Sequence, residues 1–147
     1  MSRENVEIVR GIYDGWSRND PEMMGPIDPA IEVYPDPRSA WPGIESCYRG
    51  HEGLARYLAS IYDAFSEYRA EVEDIRDAGD QVVTLAIERG RGKQSGVPVY
   101  IRHTAHIWTL RDGRAVRLDV NWDRDEALRA VGLREQPVPG APAERRG

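Results

Sequence analysis

The stretch Ile101-Arg102-His103-Thr104-Ala105-His106-Ile107-Trp108-Thr109-Leu110-Arg111-Asp112-Gly113-Arg114 decides the fold. Its first ten residues alternate, and in an extended chain successive side chains point to opposite faces. Arg102, Thr104, His106, Trp108 and Leu110 then share one face, and Ile101, His103, Ala105, Ile107 and Thr109 the other. Asp112-Gly113 is a strong hairpin signal, because both residues tolerate the positive φ that a two-residue turn requires. The segment Val97–Leu110 is therefore read as a long strand, followed by a tight turn and a second strand over Ala115–Trp122. In that second strand Val116, Leu118, Val120 and Trp122 alternate with Arg117, Asp119 and Asn121. The face with the larger side chains is assigned to an internal pocket; a β-bulge would reverse part of that assignment.

Two further strands precede these, Tyr68–Arg76 and Gln81–Arg89, separated by Gly79-Asp80. Short connections make such segments antiparallel neighbours. Arg69, Glu71, Glu73 and Arg76 read as a solvated strand face. Upstream, Leu54, Leu58, Ile61 and Phe65, with Tyr57 beside them, form the buried stripe of a helix running from about His51 to Phe65. Ile31–Tyr34 is a short strand stopped by Pro35-Asp36-Pro37, and an irregular loop from Arg38 to Gly50 carries Trp41 and Tyr48. The chain opens with a helix: Ser2 as cap, Glu4 in the first turn, then Val6, Val9, Tyr13 and Trp16 at helical spacing. Asp20-Pro21 starts a second helix that Gly25-Pro26 cuts short. Asp123 and Glu126 are spaced to cap a last short helix, which Gly132 ends.

Helices and strands segregated in this order give an α+β fold: a cone-shaped roll, with a curved antiparallel sheet wrapped around helices. Residues 1–133 form one domain, and residues 134–147 a polar, Pro-rich tail read as disordered. The net charge of −5 argues against a nucleic-acid partner, which needs a positive field. No stretch is apolar enough to span a membrane, and Met1–Asn5 leads into no signal-like run, so the expected location is cytoplasmic. Cys47 is the sole cysteine, which excludes an internal disulfide or a Cys-rich metal site. His103 and His106 lie three apart on a strand, hence on opposite faces, and cannot share a metal. Gly90–Gly96 lacks the upstream glycine and the Ser/Thr of a phosphate loop and reads as a mobile hairpin loop. No metal or cofactor is expected.

Four motifs span nearly the whole domain: Glu4–Arg10 with Tyr13 and Trp16; Tyr48-Arg49-Gly50-His51-Glu52-Gly53; His106–Arg114; and Asp123-Arg124 with Glu126-Ala127-Leu128 and Gly132-Leu133. Together they resemble the nuclear transport factor 2-like superfamily, nearest to its SnoaL-like branch, whose relatives include polyketide cyclases and ketosteroid isomerases. The resemblance implies a cone-shaped pocket for a small, largely apolar molecule and a homodimer, and it leaves the reaction open. It implies that the mid-strand aspartate of cyclases and isomerases is replaced by His106, and that the isomerase-type base falls near Asp36.

His106 is the residue best suited to acid/base work near neutral pH; the alternative is a packed histidine bonded to a neighbouring tyrosine or carbonyl. Tyr13 is expected as a hydrogen-bond donor to an oxyanion or as a core tyrosine, and Asp36 as a helper base or a solvated turn residue. Trp16, Trp41, Tyr48, Tyr57, Arg102, Trp108 and Trp122 are the expected substrate-binding residues, with Trp41 and Tyr48 as a lid or as cover for the core. Three readings stay open: a cofactor-free isomerase or cyclase, a non-catalytic ligand-binding protein, and an assembly domain whose pocket is filled by its own side chains. Ile101, Ala105 and Ile107 are expected as an apolar patch for a partner subunit. The tail has too little apolar surface to offset its ordering entropy. Truncation before Gln136 is therefore expected to leave the melting temperature nearly unchanged; a large drop in a thermal melt would show that the tail docks.

Overall fold

Helix α1 (Ser2–Ser17) buries Val9, Ile12 and Tyr13 on one face. Ser2 is its first described residue. Past its end Asn19 takes a φ of 53°, and the Asn19 and Asp20 amides close back onto the Trp16 and Gly15 carbonyls. Asp20 then caps a single 3₁₀ turn (Pro21–Met24) by accepting from the Glu22 amide. In this computed structural model residues 2–93 and 100–133 are described, so the Gln94–Gly96 part of the loop after β4 and the tail beyond residue 133 lie outside the described residues.

The remaining elements are β1 (Ile27–Tyr34), β2 (Tyr48–Arg49), α2 (Gly50–Ala64), β3 (Phe65–Ala78), β4 (Gln81–Gly92), β5 (Tyr100–Arg111), β6 (Arg114–Asn121) and α3 (Arg124–Ala130). Six strands form one curved sheet in the order β2-β1-β6-β5-β4-β3. The sheet is mixed rather than wholly antiparallel: β1 runs parallel to β6, pairing Val33 with Leu118 and Tyr34 with Asp119. That pairing joins the first strand to the last, and only the folded chain brings them together. The Arg38–Gly50 loop also ends in an ordered bridge, where Tyr48 and Arg49 pair with Val33 and Glu32. Phe65 leaves the helical stripe; it is extended (φ −130°, ψ 133°) and opens β3, where its ring meets Trp41 edge-on.

Four register shifts bend the strands. Two lie in β3, one in β1 and one between β5 and β6. Those in β3 and between β5 and β6 each add one residue to one strand, and the one in β1 leaves three residues extra against β6; such irregularities sharpen the twist, which turns a flat sheet into a hollow. The β5–β6 shift sits just past the turn, where Asp112 and Gly113 both hold positive φ (52° and 76°). Thr109 pairs with Arg117 but Leu110 with Ala115, so Val116 is the extra residue. Ala115 therefore takes the core place expected of Val116, while Leu118 and Val120 keep theirs.

The concave face carries the cross-strand rows Val82–Trp108–Leu118 and Thr84–His106–Val120, with α1 and α2 packed over it. The convex face is not bare. Ala127 and Leu128 of α3 cover Val83, Leu85, Ala105 and Ile107. The expected apolar patch for a partner is thus reduced to Ile101, which is 52% exposed, because Ala105 and Ile107 are already buried within the chain. Arg124 of α3 secures this cover, donating from Nε to the Thr104 carbonyl (3.2 Å) and from Nη2 to the Ala86 carbonyl (2.7 Å) and pairing with Glu73.

Close approach of α1 to the 3₁₀ turn rests on Gly15. A Cβ there would lie 2.6 Å from the Met23 Cβ and 3.3 Å from its Cα. Alanine in a helix interior gains about 1 kcal/mol over glycine, whereas overpacking costs about 1–3 kcal/mol. The backbone contact cannot give way as a flexible side chain would, so Gly15→Ala is expected to lower stability in denaturant unfolding; a rise would show that the 3₁₀ turn shifts freely.

Candidate functional site

Between α1, α2 and the concave sheet face lies an apolar hollow of ≈ 520 Å³ counted with its mouth. Most of that space lies between closely packed side chains, so the interior is a narrow cleft. Its walls include the rings of Tyr13, Trp16, Tyr57, Tyr68 and Trp108, with aliphatic side chains of α1, α2 and β6 between them. Besides the tyrosine phenols, one imidazole and one carboxylate share this lining, His106 and Glu88. Both are buried, at 6% and 7% exposure, among side chains that supply little polar surface.

Local structure places them. β4 and β5 pair Thr84 with His106 and Glu88 with Arg102, so alternation puts Thr84, Ala86 and Glu88 on the same concave face as Thr104, His106 and Trp108. The Tyr13 hydroxyl enters from α1. It lies 2.6 Å from His106 Nδ1 and accepts a hydrogen bond from Trp108 Nε1 at 3.0 Å. The Tyr13 and His106 rings stack (13° between planes), and Trp108 meets Tyr13 edge-on. On the far side of the imidazole, Nε2 is 3.4 Å from Thr104 Oγ1 and 3.9 Å from Glu88 Oε2. Tyr68 donates its hydroxyl to that same Glu88 oxygen at 3.2 Å.

Burial pushes the Tyr13 phenol well above its ordinary value, and the Glu88 charge adds to this; the Thr84 and Trp108 side chains only partly offset it. Tyr13 is therefore a neutral phenol and a hydrogen-bond donor at physiological pH. Thr84 Oγ1 makes no hydrogen bond of normal geometry, yet it acts on the Tyr13 oxygen from close by.

Of the residues expected at the site, the cavity gathers Tyr13, Trp16, Tyr57, His106 and Trp108. Five lie elsewhere. The Trp41 indole donates to Ser60 Oγ on α2 and packs on Phe65. Tyr48 is buried as a loop anchor, with its hydroxyl accepting from the Glu45 amide. Arg102 lies over the Trp122 ring, 3.3 Å from its centroid, and neither lines the cavity.

Asp36 departs furthest from expectation. It is neither a solvated turn residue nor aimed into the hollow. Its carboxylate is buried and accepts from the Arg38 amide (2.7 Å), Arg38 Nε (2.8 Å), Arg38 Nη2 (2.6 Å) and the Trp122 amide (2.7 Å). Four donors occupy its lone pairs, so it ties the loop after β1 to the end of β6. Sequence reasoning missed Glu88, although a lone carboxylate among Val82-Val83-Thr84-Leu85-Ala86-Ile87 was visible. The same alternation that singled out His106 would have found it.

The expected absence of a metal site concerns the same side chains. Among the described residues no group of three His, Cys, Asp or Glu side chains is placed to hold an ion. Nor is any described helix long and apolar enough to cross a membrane.

A family model of the SnoaL-like domain matches residues 9–118. The chain belongs to the SnoaL-like family. No curated protein matches the sequence. Solved structures share the fold. One is a nuclear transport factor 2-like protein of unknown function from Burkholderia pseudomallei K96243, with 20% identity, a TM-score of 0.71, and 88% of this chain and 98% of that one covered. Another is TerC, co-crystallised with polyporic acid, with 22% identity, a TM-score of 0.71 and coverage of 87% and 98%. A third, from Catenulispora acidiphila DSM 44928, has a ketosteroid isomerase-like fold and was solved in complex with trimethylamine, with 18% identity, a TM-score of 0.63 and coverage of 92% and 98%. In this SnoaL-like chain the fold is the family's, while the Glu88–His106–Tyr13 arrangement is read from its own residues.

The Asp36 tether predicts a pH effect. Burial alone would raise its carboxyl, but the Arg38 side chain and the Arg38 and Trp122 amides outweigh burial and hold it below its ordinary value of 3.8. The unfolded chain then binds that proton more readily, so the stabilisation is complete above the ordinary value and is lost as pH falls through the lower folded one. Asp36→Asn is expected to cost about 1–3 kcal/mol near neutral pH, since an amide cannot accept from four donors. Unfolding free energy of the variant, measured from about pH 5 to pH 2, should also fall less steeply than that of the unaltered protein.

Proposed function

We propose that this SnoaL-like protein is a cofactor-independent acid/base catalyst that moves a proton next to a carbonyl group of a small, largely apolar molecule, giving isomerisation or cyclisation. One observation carries the reading: a carboxylate and an imidazole, Glu88 and His106, face one apolar cleft with Oε2 and Nε2 3.9 Å apart. That separation exceeds a hydrogen bond, so neither group is locked onto the other and both can turn toward one ligand in the cleft, one as base and one as donor. One group removes a proton from the carbon beside the carbonyl. The C–H electron pair becomes a C=C bond and the carbonyl π pair moves onto oxygen. The other group donates a hydrogen bond to that oxygen, and the proton returns to a second carbon. Nothing is oxidised or reduced, and the dry surroundings strengthen the hydrogen bond to the developing charge. Fold relatives solved with polyporic acid and with trimethylamine support a small-molecule role for the cavity.

A non-catalytic binding protein is the second reading, favoured by the narrowness of the cleft and by the internal bonds that already satisfy Tyr13.

The test is a thermal-shift screen of small cyclic ketones and polyketide-like carbonyl compounds, since a ligand of the folded state raises its melting temperature by mass action. The stabilising compounds are then followed by NMR for uptake of solvent deuterium beside the carbonyl. Protein-catalysed exchange is expected, and His106→Ala and Glu88→Gln are each expected to slow it by about a hundredfold or more with the fold retained. Binding without exchange supports the second reading. A His106→Ala protein that melts early and binds as before ends the catalytic one.

A further inference from the structure

The hydrogen bonds around Tyr13 divide the work between Glu88 and His106. An indole carries one N–H and no acceptor, so Trp108 Nε1 can only donate to the Tyr13 oxygen, 3.0 Å away. Tyr13 must then place its own proton on an acceptor. Within hydrogen-bond geometry that acceptor is His106 Nδ1, at 2.6 Å. Among the described residues Thr84 Oγ1 is the rival nearby, and it forms no hydrogen bond of normal geometry. A histidine nitrogen that accepts a proton carries the ring's lone pair, so the ring proton sits on the other nitrogen.

We infer that Trp108 is a positioning residue: through Tyr13 it holds His106 in the Nε2–H form, which makes His106 the donor to the substrate oxygen and Glu88 the base. This assignment of roles rests on the proposed proton transfer, whereas the tautomer follows from the hydrogen bonds alone. The Nε2–H points toward Glu88 Oε2 and Thr104 Oγ1, at 3.9 Å and 3.4 Å. Neither contact is a strong hydrogen bond, so the proton is available to a substrate carbonyl oxygen that approaches the imidazole from the cleft. Glu88 Oε2, steadied by the Tyr68 hydroxyl at 3.2 Å, is the unprotonated partner that takes the proton from carbon. The product-forming step returns that proton from the Glu88 carboxyl, and His106 keeps its own throughout. A bare Nδ1 is unavailable as a base because Tyr13 occupies it.

The experiment reads the His106 ring nitrogens directly, in ¹⁵N-labelled protein without substrate, by long-range ¹H–¹⁵N correlation at neutral pH. Expected is a protonated Nε2, the nitrogen coupled strongly to both ring carbon-bound protons, and an unprotonated Nδ1. In Trp108→Phe the ratio of Nε2–H to Nδ1–H is expected to fall by roughly tenfold, about what one buried hydrogen bond can shift. Tyr13→Phe serves as the second variant and is expected to lose the preference as well; Thr84→Val is expected to keep it. An Nδ1–H ring or a doubly protonated ring in the unaltered protein would overturn the inference, and so would an unchanged ratio in a folded Trp108→Phe. Because this spectrum needs no substrate, a failed exchange assay and a failed tautomer assignment are separate results.

Discussion

A polar hydroxyl driven into an apolar interior must find its partners there, and the Tyr13 hydroxyl finds both on β5. Trp108 and His106 stand two residues apart on one strand face, so a single oxygen from α1 reaches both. The cost of leaving any of the three unpaired in so dry a place fixes the height of α1 over the sheet. It thereby sets the depth of the cleft and the side of the imidazole that faces Glu88. The same ring arrangement, stacked on one side and edge-on on the other, leaves little freedom for Tyr13 to rotate away. Packing and chemistry are here one arrangement: the contacts that hold the helix are those that order the donors and acceptors.

Much of this was legible in local patterns. The alternation from Arg102 to Leu110 identified the cavity face of β5 correctly, and Asp112-Gly113 placed the turn to the residue. Asp123 capping α3 and Gly132 closing it, with a φ of 79°, followed from local chemistry as well. What stayed hidden is what depends on distant partners. Nothing near Ile27–Tyr34 announces that β1 runs parallel to β6, and nothing near Val116 fixes where the two strands lose register. The burial of Ala105 and Ile107 depends on α3, which the sequence signals as a helix without showing where it docks. Asp36 is a mixed case: the three donors from Arg38 are local, and only the Trp122 amide, which completes its coordination and ties the loop to β6, lies far along the chain. Glu88 was overlooked although its signal was local.

The two faces of the sheet are thus put to different uses. The concave face holds the cleft, while the convex face is sealed by α3 and by the Arg124 side chain that spans carbonyls of β4 and β5. The Asp36 tether keeps the loop after β1 against the end of β6, beside Trp122 and the guanidinium stacked on it. Together these fasten the end of β6 from both sides, so that Val120, one row from His106, presents a fixed wall to the cleft. Loops position a site best when their own polar groups are already satisfied, and here the loop carboxylate is committed to that task.

The parallel pairing of β1 with β6 has a consequence for how the molecule is made. The edge of β1 that Leu118 and Asp119 will occupy emerges early in synthesis, and its partner emerges only near the end of the domain. Contacts so remote in sequence are slow to form, because the intervening chain must first be closed into a loop. Until β6 arrives, Ile31 and Val33, which have no exposure at all in the finished fold, stand on an open strand. A chain that lacks β6 therefore presents an apolar, unpaired edge of the kind that recruits other chains.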